Sequence, residues 1–265
     1  MSDLNISKTK ALRAPSIHIK NLTLSYQDHL LFDHFNLDIP KQKCLCLLGP
    51  SGVGKTTILR LIANLINDNN THILEFSLHT SDQKPLKHRI AYMAQQALLM
   101  PWLTILDNVL LGYRLRGENI KKHKPKALSL LKEVGLENAA HKRPSQLSGG
   151  MKQRAALART LMENHSVILM DEPFSALDVI SRLRLQNLAA RLLTDKTVLL
   201  ITHDPLEALR LADIIYVLSG SPVKLSAPIL PKGPIPRDPE DTDLLKLNAQ
   251  LLHELTLADQ QGGVS

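Results

Sequence analysis

The sequence predicts an α/β fold: a parallel sheet with flanking helices, preceded by an antiparallel β-subdomain and interrupted by an inserted α-helical subdomain. Three observations predict it. The short apolar runs KCLCLL, SVILMDEP, TVLLITHD and DIIYVLSG are separated by helix-patterned stretches, as buried parallel strands and their crossovers are. Ahead of them, IHIKNLTLSYQ and LFDHFNLDIP alternate apolar with polar residues, the pattern of half-buried strands. From about Gln96 to His165 the spacing is helical instead.

In chain order, the two alternating strands come first. KCLCLL then runs into the loop GPSGVGKTT and the helical TTILRLIANLI, giving strand, glycine loop, helix. DNNTH and HTSDQKP are turn-rich, and HRIAYMA is a further strand. KALSLLKEVGL forms an amphipathic helix closed by Gly135. After Gly220, prolines at 222, 228, 231, 234, 236 and 239 predict a stiff extended connector. TDLLKLNAQLLHELTLAD then predicts a terminal helix that packs back on the core or onto a partner. The expected units are therefore 15–220, with the helical subdomain at 96–165 inside it, and a connector with C-terminal helix at 221–265. No internal repeat and no second phosphate loop stands in the sequence.

Composition narrows the function classes. With 44% hydrophobic and 22% charged residues in a chain of 265, disordered and fibrous classes drop out. No segment holds ~18 uninterrupted apolar residues, and MSDLNISKTKALRAP lacks the apolar block of a signal peptide, so a cytoplasmic chain is expected. Cys44 and Cys46 alternate along one strand, a poor geometry for a disulfide, and read as reduced core thiols. The net charge of +7 has its densest stretch at KKHKPK. With aromatics at only 3%, a solvated helix face or loop fits that stretch better than nucleic-acid binding, and no nucleic-acid partner is expected.

GPSGVGKT fits G-x-x-x-x-G-K-[ST] between a buried strand and a helix. Gly49, Gly52 and Gly54, with Pro50, Ser51 and Val53 between them, allow the backbone to aim amide hydrogens at phosphate oxygens, and the helix start adds partial positive charge. Lys55 reaches the β and γ phosphates, Thr56 holds Mg²⁺, and Thr57 continues the first turn. VILMDEP supplies the acids. Asp171 is the second Mg²⁺ partner, and Glu172 orients and deprotonates the attacking water. This constellation fits a P-loop nucleoside triphosphatase core.

GPSGVGKTT, Gln95, LSGGMKQR, VILMDEP, SALD at 175–178 and His203 follow one another in the order and approximate spacing of ATP-binding cassette (ABC) ATPases. Over about residues 15–220 the chain resembles that family. The resemblance implies ATP and Mg²⁺ as ligands. It implies two copies packed head to tail, with Ser148, Gly149 and Gly150 of one closing on the ATP held by the other. It also implies contact of His203 with the γ-phosphate, Asp178 at the dimer seam, Tyr26 stacked on adenine, and Gln95 sensing Mg²⁺ and water. The helical subdomain would receive a membrane permease. Trp102, after Pro101, suits a partner groove if exposed, with core packing the alternative.

LMPW followed by DNV, and THDPLEAL, look like the subgroup serving importers of nitrate, sulfonates, taurine and thiamine-precursor pyrimidines (the hydroxymethylpyrimidine type). That subgroup implies a peripheral subunit on the cytoplasmic face of the inner (plasma) membrane, served indirectly by an external solute-binding protein. Ala94 before Gln95, where many relatives carry Phe, and ANLINDNNTH, without glycine turns, depart from the pattern. Cassettes acting on DNA or ribosomes are the alternative class. Repair types insert long coiled coils between the two nucleotide motifs, whereas Lys55 and Asp171 here stand 116 positions apart.

Overall fold

The computed structural model describes residues 14–27, 29–66 and 71–262. Positions 68–70 of the DNNTH stretch and the first thirteen residues lie outside that range. The chain begins with β1 (Ile17–Tyr26) and β2 (His29–Ile39), an antiparallel pair, then enters β3 (Cys44–Leu48) and, after the glycine loop, α1 (Lys55–Ile62). It returns as β4 (Thr71–Thr80), which pairs antiparallel with the other side of β1. This strand was not expected: HTSDQKP and DNNTH read as turns, yet Thr71, His72, His79 and Thr80 are strand residues. Its outer positions are exposed, including Leu74, so the alternation that marks a half-buried strand is blurred. ANLINDNNTH needs no glycine at the end of α1. Asn64 takes φ 56°, its N–H donates to Leu61, and that of Leu65 donates to Arg60, the pattern of a left-handed helix stop.

β5 (Ile90–Met93) leads into the helical segment: α2 (Ile105–Val109), α3 (Leu111–Leu115), α4 (Ile120–Glu133) and α5 (Gly149–Met162). α4 stops at Gly135, with φ 71° and amides of Gly135 and Leu136 donating to Lys132 and Leu131, as its sequence predicts. Lys121, Lys122, Lys124 and Lys126 of the basic run lie on its exposed side. The remaining elements alternate: β6 (Val167–Asp171), α6 (Val179–Leu192), β7 (Thr197–Ile201), α7 (Pro205–Leu211), β8 (Ile214–Ser219), the short β9 (Lys224–Leu225) and α8 (Thr242–Gly262).

The larger sheet runs β5-β6-β7-β3-β8-β9, parallel except for β9. Its central strands are buried on both faces, which is why they read as continuous apolar runs. Leu45, Leu47, Val167, Leu169, Leu199 and Ile201 pack against α1 and the antiparallel sheet. Cys46, Leu48, Ile168, Met170, Val198 and Leu200 face the core shared with the helical segment, α5, α6 and α7. Both cysteines are free, and burial raises their thiols well above the ordinary range.

The proline-rich connector departs from the stiff spacer its sequence predicts. β9 pairs with β8, and Ile229 bridges Ile215, so it continues the sheet. Arg237 is buried and locks it down: Nη1 donates to the carbonyls of Leu209 and Ala212 at 2.8 Å, Nη2 to Pro231 at 2.7 Å and Nε to Lys232 at 2.8 Å. A guanidinium at the C-terminal end of α7 satisfies helix carbonyls that would otherwise lack donors. α8 packs back against α7 and β8, burying Leu244, Leu251 and Ala258 at heptad spacing. Among the described residues no helix is long and apolar enough to cross a membrane.

Candidate active site

Strand order decides which loops meet. Leu47 of β3, Ile201 of β7 and Asp171 of β6 stand level in three adjacent parallel strands. The glycine loop, the Thr202–Asp204 turn and the Asp171–Glu172 acids therefore leave the sheet side by side at its carboxyl edge, where ligands of such sheets bind. Gln95 follows β5, the neighbour of β6, at the same edge and is exposed. Among the described residues no hydrogen bond joins it to Thr56 or Asp171.

The loop wraps tightly. Gly49 has φ 152°, and a Cβ there would stand 2.8 Å from the Leu218 carbonyl of β8, so this position admits only glycine. Pro50 and Val53 are half-buried, Ser51 and Gly52 exposed, and Gly54, at φ 101°, starts α1. Lys55 is buried, and its Nζ donates to the carbonyls of Gly49 at 2.6 Å and Pro50 at 2.7 Å. Burial lowers its pKa, while the charges of Glu172 and Asp171 oppose that shift. An ammonium bonded only to carbonyls beside a helix start is arranged to receive an anion.

Thr56 Oγ1 donates to Asp171 Oδ2 at 2.8 Å. Asp171 is 2% exposed; burial raises its pKa, and the Thr56 bond and the Lys55 charge pull it back. A hydroxyl and a carboxylate are the hard oxygen donors that Mg²⁺ takes together with phosphate and water. Among the described residues no group of three His, Cys, Asp or Glu could hold a metal unaided, so the fit is to a metal that arrives with a phosphate ligand.

Glu172 follows immediately. It is buried with φ 50°, a left-handed backbone that a non-glycine residue keeps only where its surroundings enforce it. Its N–H donates to Ile201 at 2.9 Å, and its carbonyl accepts from Ser175 Oγ at 3.1 Å. The carboxylate Oε2 lies 2.7 Å from His203 Nδ1, and the His203 side chain is otherwise largely open. Burial raises the Glu172 pKa, and His203 counters it. A carboxylate so placed, beside a phosphate cradle, can act as general base.

Other candidates lie apart from this cluster. Ser148 caps α5, its Oγ accepting from Met151 N at 3.3 Å, and Gly149 and Gly150 form the first turn. Among the described residues no hydrogen bond joins Ser148, Gly149 or Gly150 to the glycine loop. A Cβ on Gly150 would stand 3.1 Å from the Ala176 carbonyl, so the helix start lies tight against the SALD turn. Asp178 is exposed and caps α6, accepting from Ser181 N at 2.9 Å, a bond that lowers its pKa. Tyr26, 45% exposed, lines a cleft of about 400 Å³ together with Gly52 and Thr57. A larger groove, about 1180 Å³ between the end of α1 and the β4–β5 connection, contains none of the motif residues, so size does not select the site. Trp102 is 68% exposed, which removes core packing as the account of it.

One contributor lies inside LSGGMKQR without a role that the motif assigns. Gln153, two positions beyond Met151 on α5, is buried, and its Nε2 donates to the carbonyls of Glu172 at 3.2 Å and Pro173 at 3.3 Å. It ties the LSGG helix to the backbone that carries the general base, a link visible only once both segments are folded.

Comparison with known proteins agrees with this geometry. The family model described as ABC transporter matches residues 32–175. An uncharacterized ABC transporter ATP-binding protein of Haemophilus influenzae is 47% identical over 90% of this chain and 98% of its own length. The aliphatic sulfonates import ATP-binding protein SsuB of Delftia acidovorans is 38% identical over 91% of this chain and 95% of its own. Among solved structures, the dimeric post-hydrolysis state of the ATP-binding cassette MJ0796 bound to ADP and Pi aligns with a TM-score of 0.70 at 30% identity, over 82% of this chain and 99% of that one.

Proposed function

The chain belongs to the ABC transporter family and is one of its ATP-hydrolysing proteins, and from that premise we propose that it powers an importer for a small polar solute. Two copies close head to tail on ATP. In each site Lys55 and the backbone amides of the glycine loop other than that of Pro50, which has no N–H, hold the phosphates, Tyr26 stacks on adenine, and Thr56 and Asp171 hold Mg²⁺ with Gln95 beside it. Bound there, Mg²⁺ neutralises charge building on the phosphate oxygens. Glu172 takes the proton of the attacking water, and His203 donates to the γ-phosphate. Ser148, Gly149 and Gly150 of the other copy complete the shell from a helix start, and Asp178 lies at the seam.

The observation that carries this reading is the split geometry. Thr56–Asp171 and Glu172–His203 stand together at one sheet edge, while the start of α5 is directed to the SALD turn and makes no bond to its own glycine loop. We assign 15–220 to the cassette, with 96–165 as its permease-facing subdomain and Trp102 in the contact, and 221–265 to an appended connector and helix. The protein sits peripherally on the cytoplasmic face of the membrane, and an external binding protein delivers the solute to the permease. Relatives named for aliphatic sulfonates support a solute of the nitrate, sulfonate, taurine or thiamine-precursor pyrimidine type.

Purification of the tagged chain from gently solubilised membranes tests this. A multi-span permease should accompany it, and ATP-dependent uptake of a sulfonate, nitrate or pyrimidine should follow in vesicles carrying both. Ribosomes or DNA in place of a permease would overturn the importer reading and leave the ATPase.

A further inference from the structure

Beneath the catalytic edge lies a carboxyl that the reading above leaves unused. Glu207 stands in the first turn of α7, three residues after the capping Asp204, yet it is only 3% exposed. A helix start ordinarily favours an ionised acid. The groups around Glu207 argue the other way. Asp204, which caps α7, and Glu172 beyond β6 are acids, and the half-buried Cys44 and buried Cys46 of β3 are thiols. The cation among them, Arg182 of α6, turns its Nη groups elsewhere, to Asp204 at 3.0 Å and the Leu177 carbonyl at 3.2 Å, and its buried Nε makes no hydrogen bond to the carboxyl. Glu207 Oε1 is buried without a hydrogen-bond partner. A carboxylate there would be desolvated and unpaired, and such a group keeps its proton instead. Burial first, then the charges of Asp204 and Glu172, push Glu207 up to about 8, against the Thr202 hydroxyl and Arg182.

The neighbour that Glu207 touches belongs to the reacting loop. Glu207 N donates to Asp204 Oδ1 at 3.3 Å, and Asp204 N in turn donates to the Thr202 hydroxyl at 3.1 Å. Between Thr202 and Asp204 stands His203, 2.7 Å from Glu172. We infer that Glu207 is a positioning residue for hydrolysis, whose buried, uncharged carboxyl sets the Thr202–Asp204 turn and so holds His203 in register with Glu172. The inference rests on the roles proposed above for Glu172 and His203. Ionisation would place an unpaired charge between Asp204 and Glu172 and loosen the turn. Turnover then falls, while nucleotide binding, which depends on Lys55 and the glycine loop, stays.

The sign of the stability effect follows. Glu207 titrates higher folded than at the usual 4.5, so its stabilisation relative to a non-ionising residue is complete below 4.5 and lost as pH rises through about 8. The test uses the full chain as Glu207→Gln and Glu207→Ala. Melting temperatures and ATP hydrolysis are followed from about pH 4 to pH 9.5, a range spanning both values. The Gln variant should melt progressively later than the unaltered chain up to about pH 8, with a constant margin above. Its kcat should stay level where that of the unaltered chain falls about tenfold per pH unit beyond about 8. The Ala variant should turn over about tenfold more slowly than the unaltered chain below about pH 8, without the alkaline fall, and with KM within about twofold. A constant melting margin, a Gln variant that shares the alkaline fall, or an Ala variant with full turnover would each overturn the inference. An unaltered chain without turnover would instead strike at the roles of Glu172 and His203 and take this inference with them; only that outcome implicates the proposed function.

Discussion

α1 and α5 both begin at glycines, and both present amides at a helix start, but their surroundings differ. Around the start of α1 stand a buried lysine with only carbonyl partners, a Thr–Asp pair and, across the edge, the Glu172–His203 pair. Around the start of α5 stands no such set: Ser148 is spent on its own helix, and Gly150 is pressed against Ala176. A helix N-terminus is thus one ingredient of a phosphate site, and the α1 end has nearly all the others. The α5 end has the position and lacks the chemistry, which is what a part built to complete a neighbour's site looks like.

The largest expected break of this contrast is at the α1 end. Glu172→Gln removes the base and should cut steady hydrolysis by on the order of 10²–10⁴-fold, measured as phosphate release, with ATP still bound. Lys55→Ala should weaken ATP binding by roughly 10–100-fold in a titration with a fluorescent nucleotide, since a charge-assisted bond is worth about 1.5–3 kcal/mol. A smaller effect joins the two helices. Gln153→Leu leaves the carbonyls of Glu172 and Pro173 without their buried donor and should cost about 1–3 kcal/mol in denaturant unfolding. The mildest is a pH effect. Because burial raises Glu172 and the base must be ionised, the acid limb of kcat should lie above the usual range of a glutamate, and Glu172→Gln should lack that limb in its residual rate.

How much of this the sequence carried depends on how local each signal is. The glycine loop, the acids after β6 and the His203 turn were legible because strand, loop and chemistry fall within a few residues. The strand β4 was not, since its outer face is open and its ends look like turns. The connector was misread as a spacer: prolines report stiffness, whereas its path is fixed by Arg237 reaching carbonyls of α7 from more than twenty residues away. Gln153 and Glu207 stand inside LSGGMKQR and THDPLEAL, but a motif does not report what each side chain does: Gln153 meets the Glu172 carbonyl only through tertiary packing, and the burial of Glu207 depends on what packs over the start of α7.

The most direct measurement is the mass of Glu172→Gln in solution, by light scattering with ATP and Mg²⁺, alone and combined with Ser148→Arg. The account requires that ATP double the mass of the single variant, and that the double variant bind ATP with unchanged affinity and stay single. Loss of ATP binding by the separate chain on changing Ser148, or a dimer that forms regardless, would contradict the claim that the start of α5 completes the site of a second copy.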